Sequence, residues 1–255
     1  MAYLLAEHAR CRALLANFAM SPLIERLRRA VEAGRDPVRA VRMAAYMRDQ
    51  FRFAGIVAPE LAIIYREAAA GLPPPAAEAD VIAVALACWE LPEREYQYLG
   101  CAHLRRHAGL LGPTSVGSLE RLVTTRSWWD TVDDLATNVA GTMVARHPEL
   151  RPVMERWVVS ENVWLARVAI LHRERWKQRT DAGLLFQLCL LRAGDREFFI
   201  RKAIGWALRS YAKAEPDAVA AFLAEHGDRL SGLSRREAER GIEMGRVARG
   251  RSTAR

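Results

Sequence analysis

The stretch "DREFFIRKAIGWALRSYAK", residues 195–213, holds cations and an indole at a spacing that could meet a polyanion. On a helical wheel Ile200, Ala203, Ile204, Ala207, Leu208 and Tyr211 form one apolar stripe. Trp206 falls away from its centre, on the flank that carries Lys202, Arg209 and Lys213. Two readings stand side by side. The tryptophan packs on a neighbouring repeat while the cations are solvated, or the face meets a phosphate backbone and presses its ring on sugar or base.

A second aromatic lies in "SWWDTVDD", residues 127–134. On a helix Trp128, Val132, Leu135, Val139 and Met143 make the core stripe. Trp129 and Asp133, four residues apart, then stand one turn above the other at its edge. Asp130 and Asp134 read as N-terminal charges that complement the helix dipole. Asp133 differs from them because an aromatic wall is its neighbour in space. In "SENVWLARVAILHRERW" Asn162 reads as an N-cap. Arg167 lies off the Trp164, Val168, Leu171 stripe, either solvated or reaching a phosphate with its fork of donors. Tyr46, in "MAAYMRDQFRFAGIVAPE", reads from the residues alone as core or boundary.

Metal chemistry has one weak foothold. "CAHLRRH" places Cys101, His103 and His107 close together, but no fourth ligand follows and two arginines intervene, so the histidines read as ordinary helix-surface residues and no metal is expected. Cys11, Cys88, Cys101 and Cys189 show no paired spacing and are expected to be reduced core thiols.

These residues must be positioned by helices. Apolar residues recur at the 3.6-residue period in nearly every segment and alternating runs are absent, so the chain of 255 residues is expected to be all-α. Prolines in "GLPPP", "ELP", "HPE" and "EPD" punctuate the pattern, since proline can begin a helix but not continue one. Helices are expected, among others, at 128–146, 162–178, 195–213 and 234–247. Consecutive pairs without a strict repeat suggest degenerate HEAT-like pairs stacked as a curved α-solenoid. Residues 21–247 would form that repeat domain, 1–20 a helical extension, and 248–255 a basic, disordered tail.

The formal charge of +8 and the pI near 9.8 favour a polyanionic partner such as nucleic acid or an anionic membrane face. The longest apolar runs fall short of the roughly 18 residues that a membrane span requires. Residues 1–20 interrupt their apolar pattern with Glu7, Arg10 and Arg12, which does not suit a signal peptide. A cytoplasmic location is expected.

Taken together, the motifs resemble the AlkD-like DNA alkylation repair proteins, monofunctional glycosylases built of HEAT-like repeats. The resemblance is carried in order by "YMRDQFRFAGIVAPE", "WELPEREYQY", "SWWDTVD", "VWLARVAILH" and "FFIRKAIGWALRSYAK", ending in "LSRREA", and spans roughly residues 21–246. It implies that Asp133 is the catalytic aspartate and that Trp129 and Trp206 are the cleft tryptophans. Arg167 would be the catalytic-site arginine, anchoring a phosphate near the lesion, and Tyr46 a cleft tyrosine that meets DNA along with Lys202, Arg209 and Lys213. Val57 departs from the polar residue found after "GI" in close relatives.

The implied reaction is excision of positively charged N3- and N7-alkylated purines, 3-methyladenine and 7-methylguanine, from double-stranded DNA. It would leave an abasic site, need no cofactor, and be performed by a monomer associated with the nucleoid when bound. Two other classes remain open on the residues: a relative that binds damaged or branched DNA without cutting, and a helical-repeat scaffold for another protein.

Overall fold

The protein, a computed structural model, is described over residues 21–253, with side chains through Gly250. The proposed extension 1–20, Cys11 and the final two residues lie outside that range. Among the described residues the fold is all-α, as expected, without a strand beyond one isolated bridge between Arg52 and Glu93. The stretch read as one repeat domain resolves into two compact units, one ending at Arg126 and one beginning at Ser127.

The first unit contains α1 (Pro22–Ala33), α2 (Pro37–Tyr46), α3 (Ala58–Ala69), α4 (Glu78–Glu90), α5 (Arg94–His107) and α6 (Val116–Thr124). Proline at the first helical position of α1 and α2 costs no hydrogen bond there. Asp36 caps α2 by accepting from the N–H groups of Val38 and Arg39 at 3.0 and 2.9 Å. α4 is apolar nearly all round and buried from Val81 to Trp89. It forms a hairpin with α5 across a short connection.

Buried residues of α5 fix the turn after α2. Glu95 accepts from the backbone N–H groups of Ala54, Gly55 and Ile56 at 2.9, 2.8 and 3.1 Å. Gly55 has φ +93, and a Cβ there would stand 2.1 Å from the Asp36 carbonyl oxygen, so only glycine fits. Val57, at the N-cap of α3, has no side-chain acceptor. Its own N–H instead donates to Glu60 Oε2 at 3.3 Å.

His103 departs from the surface placement expected of it. It is 2% exposed, and its Nδ1 lies 2.9 Å from the Tyr65 hydroxyl. Burial pushes its pKa down to about 4, so it packs as a neutral ring. Cys88, Cys101 and Cys189 are buried, and burial pushes the Cys88 and Cys189 thiols up to about 12.

The second unit begins with α7 (Trp129–Asp134), a π-turn over Leu135–Ala140 and α8 (Gly141–Arg146). It continues with α9 (Arg151–Val158), α10 (Val163–Leu171), α11 (Ala182–Leu191), α12 (Phe198–Ala212), α13 (Pro216–His226) and α14 (Gly232–Thr253). Three features differ from the sequence reading. The helix expected at 128–146 is interrupted by the π-turn. The one expected at 162–178 stops at Leu171, where His172 Nδ1 donates to the Ala169 carbonyl at 2.7 Å and Lys177 takes a positive φ of 52.

The third difference lies at the C-terminus, where α14 runs through most of the segment read as a disordered tail. Arg249 holds it down by donating to Ala214 O and Glu215 Oε2, both at 2.8 Å, and to Asp217 Oδ2 at 3.2 Å. Those partners lie more than 30 residues upstream, beyond any local pattern.

Candidate functional site

Asp133 is the penultimate residue of α7, and the π-turn begins two residues after it at Leu135. Such turns open the regular ladder and are frequent at functional sites. Here the Thr137 hydroxyl donates to the Asp133 carbonyl at 2.9 Å and the Thr142 hydroxyl to the Asn138 carbonyl at 2.7 Å. One close approach packs α8 against the end of α10. Gly141 approaches so closely that a Cβ would stand 2.3 Å from the His172 carbonyl oxygen. Asn162 caps α10 as expected, accepting from Trp164 N at 3.0 Å and Leu165 N at 3.3 Å.

That seating brings Arg167 onto Asp133. Arg167 Nε donates to Oδ1 at 2.6 Å and Nη2 to Oδ2 at 2.8 Å, while Nη1 donates to the Phe199 carbonyl at 2.5 Å. One guanidinium therefore ties α7, α10 and the start of α12. The two side chains are 4% and 16% exposed, so Arg167 is held in a pair with Asp133 rather than solvated. Its planar fork fixes both carboxylate oxygens, and each oxygen retains a lone pair for another contact. Burial pushes the Asp133 carboxyl above its ordinary value, and the Arg167 hydrogen bonds and charge pull against that rise.

The Phe199 ring centroid lies 5.9 Å from the Arg167 guanidinium carbon. Trp128, Trp164 and Phe199 are mutually packed, with centroids 5.9, 5.2 and 4.8 Å apart, and all three are half-buried. Trp129 is half-buried on α7, as is Trp206 on α12. Phe199 escaped the sequence reading because it contributes a backbone carbonyl, which no side-chain pattern signals.

The basic flank of α12 also differs from expectation. Only Lys213 is exposed; Lys202 and Arg209 are half-buried and converge on one acid from α14. Lys202 Nζ lies 2.6 Å from Glu237 Oε1, and Arg209 Nη1 lies 2.5 Å from Glu237 Oε2. These hydrogen bonds, with Lys202's the strongest influence, hold the Glu237 carboxyl below the usual carboxylate range. Glu237 lies 28 to 35 residues downstream of its partners, and the sequence reading missed it. Tyr46 belongs to the other unit. It ends α2 at 73% exposure, which excludes the core placement that its residues alone suggested. Its turn holds two successive left-handed residues, Arg48 and Asp49, both at φ 56.

Among the described residues no group of three or more His, Cys, Asp or Glu side chains could hold a metal ion. No helix there is long and apolar enough to cross a membrane. Residues 27–242 match a protein family described as "DNA alkylation repair enzyme". Solved structures that match include one described as "Predicted DNA alkylation repair enzyme from Enterococcus faecalis". It is 32% identical, with a TM-score of 0.71, over 80% of this chain and 94% of that one. No curated protein matches the chain.

Proposed function

Because the chain belongs to the DNA alkylation repair enzyme family, we propose that it is a monofunctional glycosylase that excises N3- and N7-alkylated purines from duplex DNA. The observation that carries this reading is the buried Asp133 carboxylate, gripped at both oxygens by Arg167, whose guanidinium lies beside the half-buried Phe199 ring.

An alkylated purine already bears positive charge and leaves as a neutral base, so no acid need protonate it. The bond from C1′ of the deoxyribose to the purine nitrogen breaks, and its electron pair goes to the base. Positive charge then builds on the sugar. A carboxylate fixed beside that carbon stabilises the charge more in the transition state than in the ground state. Asp133 fills this role and orients the water that adds to C1′; the water's proton is released and an abasic site remains. Arg167 acts through Asp133 as a positioning residue. It holds the carboxylate in one orientation and opposes the protonation that burial favours.

Trp129 and Trp206 lie against the sugar in this reading, excluding water and presenting ring faces that favour the same cation. Tyr46 and Lys213 contact the DNA. Lys202 and Arg209 contact it while sharing Glu237, so their field is weaker than three free cations would give.

The test is single-turnover release of 7-methylguanine and 3-methyladenine from alkylated duplex. Asp133→Asn is expected to lower excision by about two to three orders of magnitude, the usual loss for an aimed charge-stabilising group. DNA affinity is expected to stay within about twofold, since the side chain meets no phosphate in this scheme. Undiminished excision by the variant would remove Asp133 from the chemistry. Failure of the unaltered protein to release either base would leave a DNA binder that does not cut.

A further inference from the structure

A second site lies behind the turn that replaces the end of the expected 162–178 helix. "HRERWKQRT", residues 172–180, carries Arg173, Arg175, Lys177 and Arg179 with Trp176 among them. With α8, α9 and the connection between them, this turn bounds a cavity of about 330 Å³. Arg151, Arg173, Arg179 and Trp176 line it together with the apolar Val144 and Pro148. None of these residues belongs to the Asp133 site.

The cations in the cavity are unevenly compensated. Arg151 is taken up by Glu155 at 2.9 Å and Asp181 at 3.7 Å. Arg173 is 9% exposed, yet among the described residues no carboxylate lies within ion-pair distance of it. Its Nε donates to His172 Nε2 at 3.0 Å and its guanidinium carbon lies 4.4 Å from the Trp176 ring centroid. Its Nη groups make no hydrogen bond to the described protein. The adjacent Glu174 turns away and accepts from the Ser210 hydroxyl at 2.8 Å. His172 cannot share the charge, because complete burial pushes its pKa down to about 3.

An arginine does not shed its proton, and the Arg173 Nη groups, which are not sealed from solvent, remain available to an anion in the cavity, with Asp181 acting on the charge only from beyond ion-pair distance. Arg179, exposed at the rim, likewise has no carboxylate partner among the described residues. The space suits a ligand larger than a bare anion, since small-molecule pockets run to roughly 300–1,000 Å³. Trp176 offers a half-exposed aromatic surface to a planar group.

We propose that this cavity binds a nucleotide, with its phosphate on Arg173 and Arg179 and its base against Trp176. The nucleotide is either free or one unit of a DNA strand, and the inference does not rest on the glycosylase reading.

Calorimetric titration of the full chain with deoxyadenosine 5′-monophosphate, deoxyadenosine, inorganic phosphate and a short single-stranded oligonucleotide tests it. Saturable binding of the monophosphate is expected, at least tenfold tighter than that of the nucleoside or of phosphate. Arg179→Ala and Trp176→Leu should each weaken it at least tenfold. Arg179 is exposed, so its substitution leaves the fold intact, and a thermal melt checks both variants. If only the oligonucleotide loses affinity in Arg179→Ala, the site takes its nucleotide within a strand. If neither variant changes the affinity of either probe, or phosphate binds as tightly as the monophosphate, the assignment is overturned.

Discussion

Two carboxylates of the second unit are each held by cations from another helix, yet their proton affinities move in opposite directions. Asp133 meets Arg167 through two hydrogen bonds and is pushed up; Glu237 meets Lys202 and Arg209 and is pulled down. Surface exposure alone does not separate them, at 16% and 11%, but Asp133 lies much deeper among protein atoms than Glu237, so its own desolvation is the larger cause. Their partners differ. Arg167 is 4% exposed, whereas Lys202 and Arg209 are 39% and 28% exposed.

Around Asp133 the whole pair is withdrawn from water, so desolvation outweighs attraction. Around Glu237 the partners remain hydrated and attraction wins. The same bonding thus has two results: a carboxylate whose charge burial disfavours, and a tie between α12 and α14.

The largest test removes the buried partner. Arg167→Ala leaves the Asp133 charge uncompensated and is expected to cost about 3–5 kcal/mol, measured by urea unfolding at neutral pH. The loss should shrink on acidification, because the orphaned carboxyl then takes a proton instead of staying charged. A loss under about 1 kcal/mol at every pH would mean the pair is not insulated from solvent as its exposure indicates.

The pH dependence of excision sharpens the same contrast. In the proposed reaction Asp133 acts as a carboxylate, so activity should fall about tenfold per pH unit below its pKa, starting above the ordinary aspartate range. The linked stability has opposite signs at the two sites. For Asp133, with its raised value, stability is fully present below the ordinary value and is lost as pH rises through the raised one. For Glu237, with its lowered value, stability is present above the ordinary value and is lost as pH falls through the lowered one. An acid limb at or below the ordinary aspartate value would contradict the dominance of burial at Asp133.

Smaller effects are expected at the exposed end. Glu237→Gln frees Lys202 and Arg209, so DNA affinity should rise and the slope of log K against log salt should steepen by about one to two units. A flat response would take those two cations away from the DNA. Lys213→Ala should weaken binding to all duplexes alike and reduce the salt slope by about one. An unchanged slope would remove Lys213 from the interface.

Much of this arrangement was legible along the chain. The 3.6-residue period gave the helices, Asn162 was recognisable as a cap, and the four-residue spacing of Trp129 and Asp133 put them on one edge. The wheel placed Trp206 with Lys202 and Arg209 on the flank away from the stripe, and all three are half-buried. It could not show that Glu237 covers that flank. The π-turn after Asp133 was equally hidden, since nothing in "DDLATNVAGT" breaks the helical period.

Sequence by itself determined the element types, the core faces and the residues able to carry charge chemistry, because periodicity, capping and proline punctuation act over one or two turns. Only the tertiary structure decided the partners. Arg167 meets Asp133 across 34 residues, and Glu237 meets Lys202 across 35. Arg173 is left without a carboxylate in direct contact, with Asp181 acting on it only from farther off. Whether a cation ends up solvated, paired or stranded depends on which elements pack beside it and how far they exclude water. That long-range term alone sets the sign of a carboxylate's shift.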